Sequence, residues 1–249
     1  MDSQLPKSFI IILAVLQAIA LTLLYSSIEN NVWPATSPTW LVSLITFSMS
    51  FPLLMLMTVN KNNIKTSLLL ILPFSLLLSL LGAYVGFQQE PQEYVSNNTL
   101  MSVFIFTSLI AGFKGLMYIQ QFGSSENVSY SRLFKLSWRN FIIFGECWLF
   151  VLIFWGILNL GAALFDILDI EFFSELLINE WFWIPTLTLA FAFASVIFRK
   201  LLNIEDNIAF LLQTLIKFLL PVLSVISLGF LATLPFISNV AAGAHVIFC

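Results

Sequence analysis

Charge is the scarcest commodity in this sequence. Only 9% of its 249 residues are charged, against roughly 25% in an ordinary soluble domain. Histidine occurs once, at His245, and cysteine twice, at Cys147 and Cys249. Each shortage excludes something. Two cysteines so far apart form neither a disulfide framework nor a zinc-ligand spacing. The lone histidine lies beyond the last apolar stretch, so no serine–histidine pair can form inside a membrane, and neither Gly-x-Ser-x-Gly nor His-Glu-x-x-His occurs. No aspartate falls within a predicted span. We therefore expect no catalytic residue, no metal ligand and no cofactor, and read the chain as not an enzyme. A net charge of −3 argues against nucleic acid as a partner.

What remains is apolar. Hydrophobic residues make up 59% of the chain, with 26 Phe and 7 Trp, and the mean hydropathy is +0.98. A bilayer core takes about 20 mostly apolar residues per helix. Seven stretches qualify: residues 8–27, 40–60, 66–88, 100–121, 140–165, 181–198 and 207–235. The expectation is an all-α polytopic membrane bundle of about seven transmembrane helices, a single domain over residues 1–235, with a short tail over 236–249. Lys7 before an apolar run, with Ala18-Ile19-Ala20 after it, has the outline of a signal peptide. The run continues through Leu21, Leu23, Leu24 and Tyr25, however, so the segment is read as a helix. Pro221, near the middle of the last stretch, predicts a kink or tilt there.

The few charges orient the bundle. With the N-terminus in the cytoplasm, the inner segments hold Lys7, Lys61, Lys65, Arg132, Lys135, Arg139, Arg199 and Lys200. The outer segments hold only acids: Glu29, Glu90, Glu93, Asp166, Asp169, Glu171, Glu175 and Glu180. Basic residues are retained on the cytoplasmic side, so the N-terminus is predicted inside. Trp33, Trp40, Trp181 and Trp183 fall at the outer boundary, Trp138 and Tyr118 at the inner one, where amphipathic rings favour the headgroup level.

Two connecting segments have amphipathic character. Arg132, Lys135 and Arg139 recur at helical spacing among Leu133, Phe134, Leu136 and Trp138. They suit either a short helix lying on an anionic leaflet or a plain juxtamembrane topology signal, and in both readings their contacts are membrane lipids. In the outer segment 166–180, Phe172, Phe173, Leu176 and Leu177 share a helical face opposite Glu171 and Glu175. A solvated acidic face accounts for these carboxylates better than a cation site.

Three ionisable residues fall inside predicted spans: Lys114, Glu146 and Lys217. Such groups cost at least a few kcal/mol at the bilayer centre and normally find partners. At 1.5 Å per residue, Lys114 and Glu146 lie ~10 Å and Lys217 ~16 Å from the inner ends of their spans. One reading is a polar cavity or ion path closed by a Glu–Lys pair. Others are a pair that glues helices together, or a Lys114 that snorkels to the headgroups. Lys217 is too deep to snorkel easily, so Glu146–Lys217 is the expected pair. Gly82-Ala-Tyr-Val-Gly86 has the spacing that lets helices approach closely; Gly112 with Gly115, and Gly156 with Gly161, are weaker cases.

One long segment carries a resemblance. Leu133 to Arg199 reads LFKLSWRNFIIFGECWLFVLIFWGILNLGAALFDILDIEFFSELLINEWFWIPTLTLAFAFASVIFR. It has a basic Trp-Arg-Asn entry, a Trp-rich helix, an Asp-Ile-Glu-Phe-Phe turn and a Trp-Phe-x-x-Pro start to the next helix. This segment resembles an uncharacterised bacterial integral-membrane family, domain of unknown function 4153. The resemblance implies a multi-pass protein of the bacterial inner (cytoplasmic) membrane and brings no activity or catalytic residue. Family members look longer, with further helices after the region matching Pro235, so a truncated chain with a less well packed last helix is expected. The functional expectation is a non-enzymatic envelope or assembly component, with a membrane-protein partner or a homo-oligomeric form. The alternative is a transporter of small solutes or ions using the inner charges.

Overall fold

The computed structural model describes residues 7–60, 63–89, 98–122, 129–168, 170–201, 216–217 and 219–232. Among them there is no strand. The helices are α1 (Lys7–Glu29), α2 (Pro38–Thr58), α3 (Ile64–Phe87), α4 (Asn98–Phe122), α5 (Tyr130–Asp166), α6 (Phe172–Ile178), α7 (Glu180–Leu201) and α8 (Leu219–Ala232). Six of them (α1 to α5 and α7) are long and apolar enough to cross a membrane. The chain is a multi-pass, all-helical membrane protein. Of the seventh predicted stretch the structure describes residues 216 and 217 and α8, all helical, and Pro221 lies within α8. The tail 236–249, with the expectation of truncation attached to it, lies outside the described residues.

Helix α5 differs most from expectation. It has 37 residues, a length of ~55 Å against a hydrocarbon core of ~30 Å. Nothing between Tyr130 and Asn140 breaks a helix, since the stretch holds neither glycine nor proline. The basic segment with Arg132, Lys135 and Arg139 is therefore not a separate surface helix. It is the first part of α5 and projects beyond the apolar core.

The spans alternate in direction, and the contacts at their ends show it. The ends of α2, α4 and α7 meet the early part of α5 at what we term the basic end, through Arg199, Gln120 and Asn140. At the opposite, acidic end, the Glu29 and Glu180 side chains meet, and the end of α3 lies on the start of α2. Packing is densest toward the basic end. Met55, Leu56 and Val59 of the α2 terminus, with Ile71, Cys147, Ala194 and Phe198, are almost fully buried in one cluster.

Helices α2 and α3 form the tightest seam. A Cβ at Gly82 would stand 2.8 Å from Thr46 Oγ1, and one at Gly86 would come within 2.8 Å of Pro38 and Thr39 backbone atoms. The small-residue spacing thus permits close backbone approach. Ser43 and Ser79 add a hydroxyl contact of 2.8 Å across the same seam. Of the weaker glycine cases, Gly115 faces the Phe74 ring and Gly161 faces Ile226, whereas Gly112 and Gly156 face open space.

Most of the aromatic residues expected at the boundaries face outward. Trp33, Trp40, Trp181, Trp138 and Tyr118 are exposed. Trp183 instead turns inward, edge-on to Tyr25 with ring centroids 5.6 Å apart. In α6, Phe173 stacks on Phe165 at 4.3 Å, while Phe172 is exposed and stands edge-on to Phe173 at 5.4 Å.

Candidate functional site

The last four carbonyls of a helix lack partners within it. At the end of α2 the problem is acute, because Met55, Leu56 and Val59 sit in the buried core. Met55 O is satisfied within the chain turn by Val59 N at 2.9 Å. Those of Leu56, Met57 and Val59 are met from neighbouring helices. Arg199, on the last turn of α7 and only 5% exposed, donates from Nη1 to Leu56 O. Its Nη2 donates to Val59 O at 2.9 Å and to Asn60 Oδ1 at 3.1 Å. Gln120 on α4 donates from Nε2 to Met57 O at 3.1 Å.

This arrangement explains how a guanidinium can be buried without a carboxylate. Aligned peptide dipoles give a helix C-terminus a partial negative charge, and carbonyl oxygens supply the acceptors that the planar fork requires. Gln120 continues the network. It exchanges two hydrogen bonds with Asn140 of α5, Asn140 Nδ2 to Gln120 Oε1 at 2.8 Å and Gln120 Nε2 to Asn140 Oδ1 at 3.2 Å. Three helices, α4, α5 and α7, are thereby tied to one another through the end of α2.

None of these roles was evident beforehand. By sequence Arg199 is a topology signal and Asn140 the first residue of a predicted span, and nothing singles out Gln120. The available signal was modest: neutral polar residues just inside predicted spans need partners where water is absent.

The three intramembrane charges are not drawn together. Lys114 and Lys217 are exposed and Glu146 is half-buried. Among the described residues no ion pair joins Glu146 to either lysine, and its buried Oε2 has no hydrogen-bond partner. Register explains why the expected Glu146–Lys217 pair does not form. Gly161 faces Ile226 and Phe165 faces Gly229, so α8 runs parallel to α5 and Lys217 falls about level with Leu152. That is six residues, or ~9 Å, beyond Glu146. Of the basic trio at the start of α5, Lys135 is exposed and Arg132 and Arg139 are half-buried.

Two cavities occupy the other half of the bundle. One, of about 480 Å³, lies among α1, α2, α4, α5 and α7 and is lined by Leu21, Leu24, Met49, Trp148, Trp183 and Phe191 among others. Its polar contributors are Gln17, Thr188 and the tips of Tyr25 and the two tryptophans. Thr188 turns its hydroxyl back to Ile184 O at 2.8 Å. Glu146 does not line this cavity. The second, of about 550 Å³, lies where α8 meets α5, α6 and α7, and Phe165, Phe173, Leu176 and Val225 are among its walls. Both suit apolar chains better than ions.

No protein-family model, curated protein or solved structure matches this chain.

Proposed function

We propose that this chain is a non-enzymatic component of the bacterial inner membrane, acting through assembly with other membrane proteins rather than by moving solutes. The observation that carries the reading is the use made of interior polar groups. Arg199, Gln120 and Asn140 are spent on closing helix ends and binding helices together. The 480 Å³ cavity is apolar and excludes Glu146 from its lining. An ion path needs polar groups along a water-filled passage, and this arrangement offers few.

The segregation of basic residues to one end supports a cytoplasmic N-terminus. The projecting start of α5 would then bring Lys135, with Arg132 and Arg139, to anionic headgroups of the inner leaflet. Membership of the uncharacterised family that residues 133–199 resemble is consistent with this reading and adds no activity. A transporter remains the second reading. The central cavity favours it, and its lining would select an apolar substrate over an ion.

Reconstitution separates the two. Purified protein in sealed vesicles should pass protons, K⁺, Na⁺ and small polar solutes no faster than protein-free vesicles under an imposed gradient. Protein-dependent flux that saturates with solute concentration would overturn the assembly reading in favour of transport.

A further inference from the structure

Lys114 and Glu146 stand at one depth, on opposite flanks of two adjacent helices. The Gln120–Asn140 hydrogen bonds fix the register of α4 against the antiparallel α5. Lys114 lies six residues before Gln120, and Glu146 six residues after Asn140. Both steps lead away from the basic end by ~9 Å. Six residues also turn a helix through about 600°, which leaves a net rotation of about 240°. Right-handed helices rotate in the same sense along a shared direction. The two side chains therefore both point about 120° away from the α4–α5 contact line, one to each flank.

This geometry explains why they do not meet within one copy. It also leaves each exposed or half-buried within the apolar span, where an unpartnered charge costs at least a few kcal/mol. Lys114 belongs to a stripe on α4 that includes Val103, Thr107, Ile110 and Tyr118, all exposed.

We propose that a second copy of this chain supplies the partner, so that Lys114 of one copy pairs with Glu146 of the next in a head-to-tail row of copies. The inference rests on the assembly reading above and names the partner. Copies in one membrane share an orientation and are related by rotation about the membrane normal, which preserves depth. Complementary charges can then pair between copies only if they lie at equal depth. Lys114 and Glu146 meet that condition, and Lys217, ~9 Å further along, does not. Because the two charges point to opposite flanks, the contact is head-to-tail and relates successive copies by little rotation, so it propagates as a row rather than closing as a two-fold dimer. The α4 stripe supplies the apolar surface around the pair.

The test uses the full chain in phosphatidylethanolamine–phosphatidylglycerol bilayers, with copies counted by single-molecule photobleaching. Wild type should show three or more copies per assembly. Glu146→Lys and Lys114→Glu, each alone, place like charges at the contact and should lower the assembled fraction at least tenfold. Mixed together under different labels, the two variants restore opposite charges at the contacts between unlike copies and should reassemble with both labels present. A monomeric wild type, an unchanged count in either variant, or no reassembly on mixing overturns the row. The wild-type count is independent of any folding defect in the variants. A monomer that passes no solute overturns the row while leaving assembly with another protein standing; a row that conducts solute does the reverse.

Discussion

The two halves of this bundle are built differently. Toward the basic end, side chains are packed to near-zero exposure around Met55, Ile71, Cys147 and Phe198, and polar groups lock the helix ends together. Toward the acidic end the helices are held apart by cavities of about 480 and 550 Å³. There the firmest contacts are the glycine seam of α2 and α3 and the aromatic stack of Phe165 on Phe173. The contrast shows how a bundle holds together without hydrophobic drive between helices. In lipid, association depends on close packing and on hydrogen bonds. One half uses both, and the other leaves room that an acyl chain or partner helix could fill.

The largest effect should come from removing the lock. Arg199→Met strands the carbonyls of Leu56 and Val59 and the Asn60 side chain, each costing ~1–3 kcal/mol when buried unsatisfied. We expect a loss of about 4 kcal/mol in detergent unfolding, with Arg199→Lys recovering only part of it, since one ammonium cannot reproduce the fork. A loss under 1 kcal/mol would show that the basic end is not held as described.

The seam is next. Gly86→Leu drives a side chain into the backbone of Pro38 and Thr39 and should cost about 2–3 kcal/mol as overpacking. Gly112→Leu faces open space and should be neutral. Equal losses at the two positions would mean that the cost does not arise from the α2–α3 approach.

The smallest difference measures the packing contrast itself. Leu54 is buried in the dense half, and Leu21 lines the central cavity. Leu54→Ala should destabilise by about 2 kcal/mol, because its neighbours lose dispersion contacts. Leu21→Ala should cost less than about 1 kcal/mol, since one side of it already lacks partners. Thermal unfolding of both variants in the same detergent would settle the comparison, and a larger loss at Leu21 would reverse it.

Much of this architecture was legible in advance, though unevenly. The predicted spans 8–27, 40–60, 66–88 and 100–121 end within a few residues of α1 to α4. The start of α5 was misjudged, because Arg132, Lys135 and Arg139 signal a headgroup boundary whether the chain turns there or runs straight on. Position along the chain does not say which way Trp183 turns; it packs edge-on to Tyr25 of α1. Glu146 and Lys217 were paired by need, with no means of knowing that α8 and α5 are offset by ~9 Å at those residues.

Sequence alone determined that the chain crosses a membrane several times, where most crossings lie, and that Gly82 and Gly86 mark a close approach. Those properties depend on local composition: a hydrocarbon layer imposes a length, and a missing side chain permits proximity. Tertiary structure alone decided what holds the basic end. Every helix end carries unsatisfied carbonyls, and nothing local to Arg199 says which of them its guanidinium will reach. That it reaches Leu56 and Val59, 143 and 140 residues away in the chain, follows from how α7 comes to rest against the end of α2.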